Sequence, residues 1–338
     1  MQVNKDKKAS PVRCKDSTAS RVLIAAAGVL LLSSCNVVLR AQIHESQKVA
    51  PSCASADRSQ QSLVRGFTFT TYNHGNELPA CLLVRRDGKT VYRLIKDVSS
   101  FSLGQLAQPQ YNIPAVPKGA DLAGRGYPDM IVTSFSGGAH CCTDLYLFEL
   151  EPQFTLLTTL HLGNRDEAHF AKDPSDGKFY FYSADDAFAY WHTSFAQSPA
   201  PQVILRWVED NSGHGTFRLA LDKMQGHELS VKDWRQNFVQ KARDAFEPGE
   251  GFEDGENGPY VVGPGLWASM LDLIYSERSP LAWKLLDEVW PPSKTGKAKF
   301  LSDFCSQLSR SAYWPDLKPT VSETPEPCRV AWSEPVKK

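Results

Sequence analysis

Three groups of short alternating runs, beginning near Phe67, Met130 and Phe179, constrain this chain more than any other feature. Phe67-Thr68-Phe69-Thr70-Thr71-Tyr72 alternates bulky and polar residues, as a half-buried strand does. Cys81–Val84 and Thr90–Leu94 flank Asp87-Gly88, a hairpin signal. Met130–Thr133, Leu145–Phe148 and Phe154–Leu162 form a second group, and Phe179–Tyr182, Gln202–Trp207 and Thr216–Leu221 a third. The groups recur at about 50–60 residues, near the period of propeller blades. An antiparallel sandwich or meander without a true repeat accounts for the same runs. The expected fold is therefore a β-rich N-terminal body over 63–225, propeller-like or an antiparallel sandwich, with an α-helical C-terminal region.

The helical region is expected over 230–312. Trp234, Phe238, Val239 and Ala242 fall on one face of a helix over Val231–Phe246. Leu266–Tyr275 and Leu281–Trp290 read as two helices, with Pro280 suited to a helix start. Lys297–Arg310 places Phe300, Leu301, Phe304 and Leu308 together, whereas the acidic, glycine-rich Pro248–Pro259 reads as a loop. The Pro-rich 313–338 is expected as an extended tail.

The N-terminus carries a targeting signal. A basic segment precedes the apolar run Val22–Leu32, which is too short to span a bilayer. Leu32-Ser33-Ser34-Cys35 resembles a bacterial lipobox. The resemblance implies removal of a signal peptide (1–34), lipidation of Cys35, and a polar tether over 35–62. Asn36 follows the cysteine where no aspartate stands, which in a host with two membranes implies sorting to the outer one. Two other readings stay open: cleavage after Leu39-Arg40-Ala41 without lipid, and an uncleaved anchor over Val22–Leu39.

Charge and cysteine content agree with export. The chain has 37 Lys+Arg and 38 Asp+Glu, and loss of the basic leader leaves the remainder more acidic, which argues against nucleic acid as a partner. Apart from Cys14 and Cys35, six cysteines remain: Cys53, Cys81, Cys141, Cys142, Cys305 and Cys328. An even number in an oxidising compartment suggests disulfides. Cys305 with Cys328 closes a short loop; Cys53 and Cys81 pair with each other or with Cys141 or Cys142.

Asp121-Leu122-Ala123-Gly124-Arg125-Gly126-Tyr127-Pro128-Asp129-Met130-Ile131-Val132 resembles the core of an FG-GAP (VCBS-type) repeat, a calcium-binding turn that enters a strand. Asp121, Gly124, Gly126, Asp129 and Val132 match that pattern. The following Ser136-Gly137-Gly138-Ala139-His140-Cys141-Cys142 is similar to segments of bacterial envelope proteins that carry such repeats, and Asp173–Gly177 is a weaker echo of the turn. The resemblance implies propeller blades, usually seven, and this β region is too short for seven. Two ligand positions are occupied by Ala123 and Arg125, and calcium needs about six oxygens. A structural turn without metal is expected, with Arg125 neutralising Asp121 and Asp129.

His140-Cys141-Cys142 suggests three alternatives: a metal site completed by His192 or Asp144, a vicinal disulfide, or separate bridges. Asp185-Asp186-Ala187-Phe188-Ala189-Tyr190-Trp191-His192 sets carboxylates, aromatics and a histidine close together. Asp185, Asp186, Tyr190, Trp191 and His192 are thus candidates for ligand binding, or Asp185, Asp186 and His192 for acid–base hydrolysis of a glycan. The alternative is a strand end whose aromatics pack in the core. No Gly-x-Ser-x-Gly, His-Glu-x-x-His or phosphate loop occurs, and no cofactor is expected. The reading favoured is a non-catalytic, lipid-anchored envelope protein that binds a partner protein or a glycan, with an envelope hydrolase as the alternative.

Overall fold

The computed structural model describes Cys53, 57–74, 77–138, 142–163, 165, 167–210, 213–226, 228–247 and 262–333. The expected signal peptide, Cys35, most of the tether, His140 and Cys141 lie outside these residues. No helix among the described residues is long and apolar enough to cross a membrane.

Among the described residues, twelve strands form three four-stranded antiparallel sheets, each a meander in sequence order. The first sheet contains β1 (Asp57–Val64), β2 (Phe67–His74), β3 (Glu77–Arg86) and β4 (Lys89–Lys96). The second contains β5 (Ser100–Leu103), β6 (Asp129–Phe135), β7 (Thr143–Glu149) and β8 (Thr155–Gly163). The third contains β9 (His169–Lys172), β10 (Phe179–Ala184), β11 (Gln202–Glu209) and β12 (Gly215–Leu219). β1 begins at Asp57, inside the stretch expected as tether. At the β3–β4 turn Asp87 and Gly88 both have positive φ, 50° and 74°, the backbone that a tight two-residue hairpin requires.

The second sheet lies between the other two. Met130, Val132, Tyr146 and Phe148 pack with Phe67, Phe69, Leu82 and Val84 of the first sheet. From its opposite face Ile131, Leu145 and Leu147 join Phe170, Phe181, Val203, Leu205 and Phe217 of the third. Burial on both faces explains why Met130-Ile131-Val132 and Leu145–Phe148 are apolar without interruption, whereas β2 alternates. A polar junction crosses the first interface: Lys96 of β4 pairs with Asp144 of β7 and donates to Tyr146 Oη at 3.0 Å.

The helical region follows directly. α1 (Leu221–Met224) brings Met224 against Tyr180, Ile204 and Ala220 on the outer face of the third sheet. α2 (Val231–Asp233) begins in a capping box between Ser230 and Asp233, and a π-helical turn over Trp234–Gln240 leads into α3 (Lys241–Asp244). α4 (Pro264–Tyr275), α5 (Ser279–Val289) and α6 (Lys297–Leu308) carry most of the buried apolar helix residues, Trp267, Leu286 and Phe304 among them.

Beyond α6 the expected extended tail is corrected: the chain forms α7 (Trp314–Leu317) and α8 (Glu326–Ser333). Cys328 of α8 is bonded to Cys305 of α6, and Trp332 Nε1 donates to the Cys305 carbonyl at 2.8 Å. That covalent tie supplies the tertiary support a short Pro-flanked helix lacks by itself. Cys53 is bonded to Cys81 of β3. Cys142 is also disulfide-bonded, and because the other described cysteines pair with one another its partner lies outside the described residues.

Candidate functional site

The turn that resembles a calcium loop uses its carboxylates internally. Asp121 accepts the backbone N–H groups of Arg125 at 2.9 Å and Gly126 at 2.8 Å. Asp129, which is buried, accepts those of Leu122 at 2.7 Å and Ala123 at 2.9 Å through Oδ2. Its Oδ1 is buried with no hydrogen-bond partner, and burial pushes the carboxyl up to about 7. The expected neutralisation of Asp121 and Asp129 by Arg125 is corrected: its guanidinium pairs with neither. Its guanidinium reaches Glu149 at the end of β7, at 2.8 Å, and Glu209 at the end of β11. The side chain therefore ties the second sheet to the third, while only its backbone serves the turn.

A cavity of about 730 Å³ opens between β8 and the third sheet, with Arg310, Ala312, Tyr313, Pro315 and Asp316 along one side. Its floor is apolar, with Leu160, Leu162, Phe181, Leu205 and Phe217. Five consecutive residues of β8, Thr159 through Gly163, contribute to the lining. Successive side chains of a strand point to opposite faces, so a consecutive run lines a space that follows the strand's edge. β8 is the outer strand of its sheet and among the described strands pairs with β7 alone, while the Leu162 carbonyl accepts Arg165 N–H at 3.1 Å.

Asp185 and Asp186 lie on the wall of this cleft. Asp185 directly follows β10 and is buried. Its Oδ1 accepts Ala187 N–H at 2.8 Å, and its Oδ2 accepts Ser311 Oγ–H at 2.5 Å and the Tyr275 hydroxyl of α4. Burial and the Asp185 charge push the Tyr275 phenol well above its ordinary range, so it remains a donor. Asp186 pairs with Arg165, itself mostly buried. Asp316 pairs with Arg218 and accepts Leu219 N–H at 3.0 Å. Burial, then the charges of Asp185 and Asp186, push Tyr313 up to about 12. Each carboxylate on the cleft wall is thus already engaged. Arg310 is exposed at the rim, with a 3.4 Å contact to Gln307 Oε1. His161, also at the rim, bonds Asp144 through Nδ1 at 2.7 Å.

The remaining sequence candidates lie elsewhere. Trp191 is half-buried against the core, edge-on to Trp267 at 5.1 Å and to Phe188 at 5.1 Å. Tyr190 is exposed and packs on Phe195 at 5.4 Å. His192 sits on Trp191, with ring centroids 4.7 Å apart, and does not line the cleft. Burial lowers the His192 pKa against the opposing pull of Asp303. Tyr190 and His192, on either side of Trp191, both have positive φ, 58° and 53°, a conformation uncommon outside glycine.

The chain matches no known family model, curated protein or solved structure. The site must therefore be read from its own geometry.

Arg218, Arg310, Tyr313 and Asp316 line the cleft, and Arg165 holds Asp186 beside it; sequence reasoning missed all five. Arg218 and Asp316 are 98 positions apart, and no local pattern links them. The one usable signal was β8 itself, whose run Phe154–Leu162 was legible as a strand.

Proposed function

We propose that this chain is a non-catalytic, lipid-anchored protein of the bacterial envelope, held at the outer membrane, whose cleft receives an extended segment of a partner protein. The observation that carries this reading is the open edge of β8 along the cleft. An extended peptide laid there gains main-chain hydrogen bonds from the strand and seats alternate side chains on Leu160, Leu162 and Phe217. Arg310 at the rim suits an acidic group on such a segment. The anchor rests on the lipobox at Leu32–Cys35, and the FG-GAP-like turn fits a blade-like body in which metal is replaced by backbone hydrogen bonds.

The hydrolase alternative draws less support. Acid–base chemistry requires two groups that reach one substrate and can exchange protons with it. Asp185 is committed to Tyr275, Ser311 and Ala187, Asp186 to Arg165, and His192 is outside the cleft.

Selection of displayed random peptides against the full chain, followed by hydrogen exchange, tests the reading. Enriched peptides are expected to slow exchange at 159–163. Failure of any peptide to enrich, or protection confined to another strand, would contradict it. Intact mass from the native membrane fraction checks the anchor: acyl chains on a chain beginning at Cys35 are expected, and an unlipidated mass would remove that part.

A further inference from the structure

A second cavity, about 380 Å³, lies on the far side of the Arg165–Asp186 pair, over the face of the second sheet that also carries Ile131 and Leu145. Low on this face the sheet is apolar; where the cavity opens it becomes hydroxylated. Ser102 lies directly opposite Thr133, and Ser100 opposite Phe135, which lies opposite Thr143 on β7. Gln108 adds an amide to the lining. Among the described residues, the side chains of Ser100, Ser102, Gln108, Thr133 and Thr143 make no hydrogen bond within the chain.

Phe135 is 43% exposed, a large ring open to solvent within a row of hydroxyls. Among the described residues no carboxylate lines the cavity, and the one cation among them, Arg165, is held by Asp186 and Glu167. The described lining is therefore close to electrically neutral. It offers groups that both donate and accept hydrogen bonds, and one aromatic face.

We propose that this cavity binds a neutral sugar ring, with an apolar face of the ring against Phe135 and its hydroxyls on the serine and threonine rows. A sugar pairs a C–H face with a rim of hydroxyls, each able to donate and accept. An ion finds no counter-charge here, and a purely apolar ligand would strip water from five polar side chains without replacing those bonds. The volume lies within the range of small-ligand pockets and admits one or two rings. Apart from Leu162, which lines both, the residues differ from those of the β8 cleft, and Phe135 and the hydroxyl rows belong to this cavity alone of the two.

Titration calorimetry on the full chain, in a non-glycosidic detergent, with glucose, maltose and N-acetylglucosamine as probes tests it. Saturable binding of at least one probe is expected, with a millimolar dissociation constant. Phe135→Ala is expected to weaken that binding about tenfold, the scale of one lost aromatic contact. Thr133→Val keeps the side-chain shape, removes one hydroxyl, and is expected to weaken it severalfold; this variant decides the matter if Phe135→Ala fails to fold. Absence of saturable binding for all three sugars, or undiminished binding in the folded variants, would overturn the proposal.

Discussion

The turn over 121–129 and the segment over 185–192 look alike in sequence, two acidic stretches beside strands, yet they are built on opposite principles. In the turn, Asp121 and Asp129 accept backbone N–H groups from within seven residues, and the loop closes on itself. In the segment, Asp185 reaches hydroxyls 90 and 126 positions away, and Trp191 packs against Trp267 of α4 and Phe300 and Phe304 of α6. One carboxylate pattern makes a local corner. The other makes the joint between the β body and the helical region. Similar local composition therefore says little about whether an aspartate is available for chemistry; its partners decide.

The largest expected effect tests the joint. Trp191→Ala should remove about 3 kcal/mol of stability, the low end of the scale for truncating a large aromatic because this one is half-buried, measurable as a lower urea midpoint. If Trp191 were instead a surface ligand platform, the midpoint would barely move. Arg125→Ala tests the corresponding long-range tie near the turn. It leaves Glu149, 4% exposed, without its guanidinium, and should cost about 3 kcal/mol. An effect below about 0.5 kcal/mol would mean that the two sheets are held without it.

Asp129 sharpens the comparison through pH. Its folded pKa, about 7, lies above the ordinary value of 3.8, so the folded state holds the proton more tightly than the unfolded state. Its contribution is greatest below the unfolded pKa and declines as pH rises through the folded one, levelling off above about 7. Asp129→Asn mimics the protonated form and should flatten the dependence between about pH 4 and 7, leaving the variant more stable than the parent at pH 8. An unchanged slope would remove Asp129 as its source. The smallest effect is expected at Tyr190→Ala, within about 0.5 kcal/mol, since its ring is exposed beside a residue that carries the joint.

Nine of the twelve strands were legible in the alternation and turn signals, and the three that were not are β1, β5 and β9, the first strand of each sheet. β5 and β9 have only four residues each, and β1, Asp57–Val64, is mostly polar. Each is an edge strand held by a neighbour rather than by its own pattern, so period-based reading passes over it. α4, α5 and α6 were legible because each carries an apolar face; α8 was not, because its place depends on Cys328 and Trp332 meeting α6. Asp185 and Asp186, candidates for ligand binding in the sequence, line a cavity, but their commitments to Tyr275, Ser311 and Arg165 depend on topology that no local window contains.

The central claim is that Asp185 is a structural bond between the β body and the helices. A double-mutant cycle in unfolding free energy, using Asp185→Ala, Tyr275→Phe and the pair, tests it most directly, because Tyr275→Phe removes only the hydroxyl. A coupling energy of about 1 kcal/mol or more is expected for partners in one buried hydrogen bond. Additive effects, within about 0.3 kcal/mol, would contradict the claim and return Asp185 to the groups available for chemistry in the cleft.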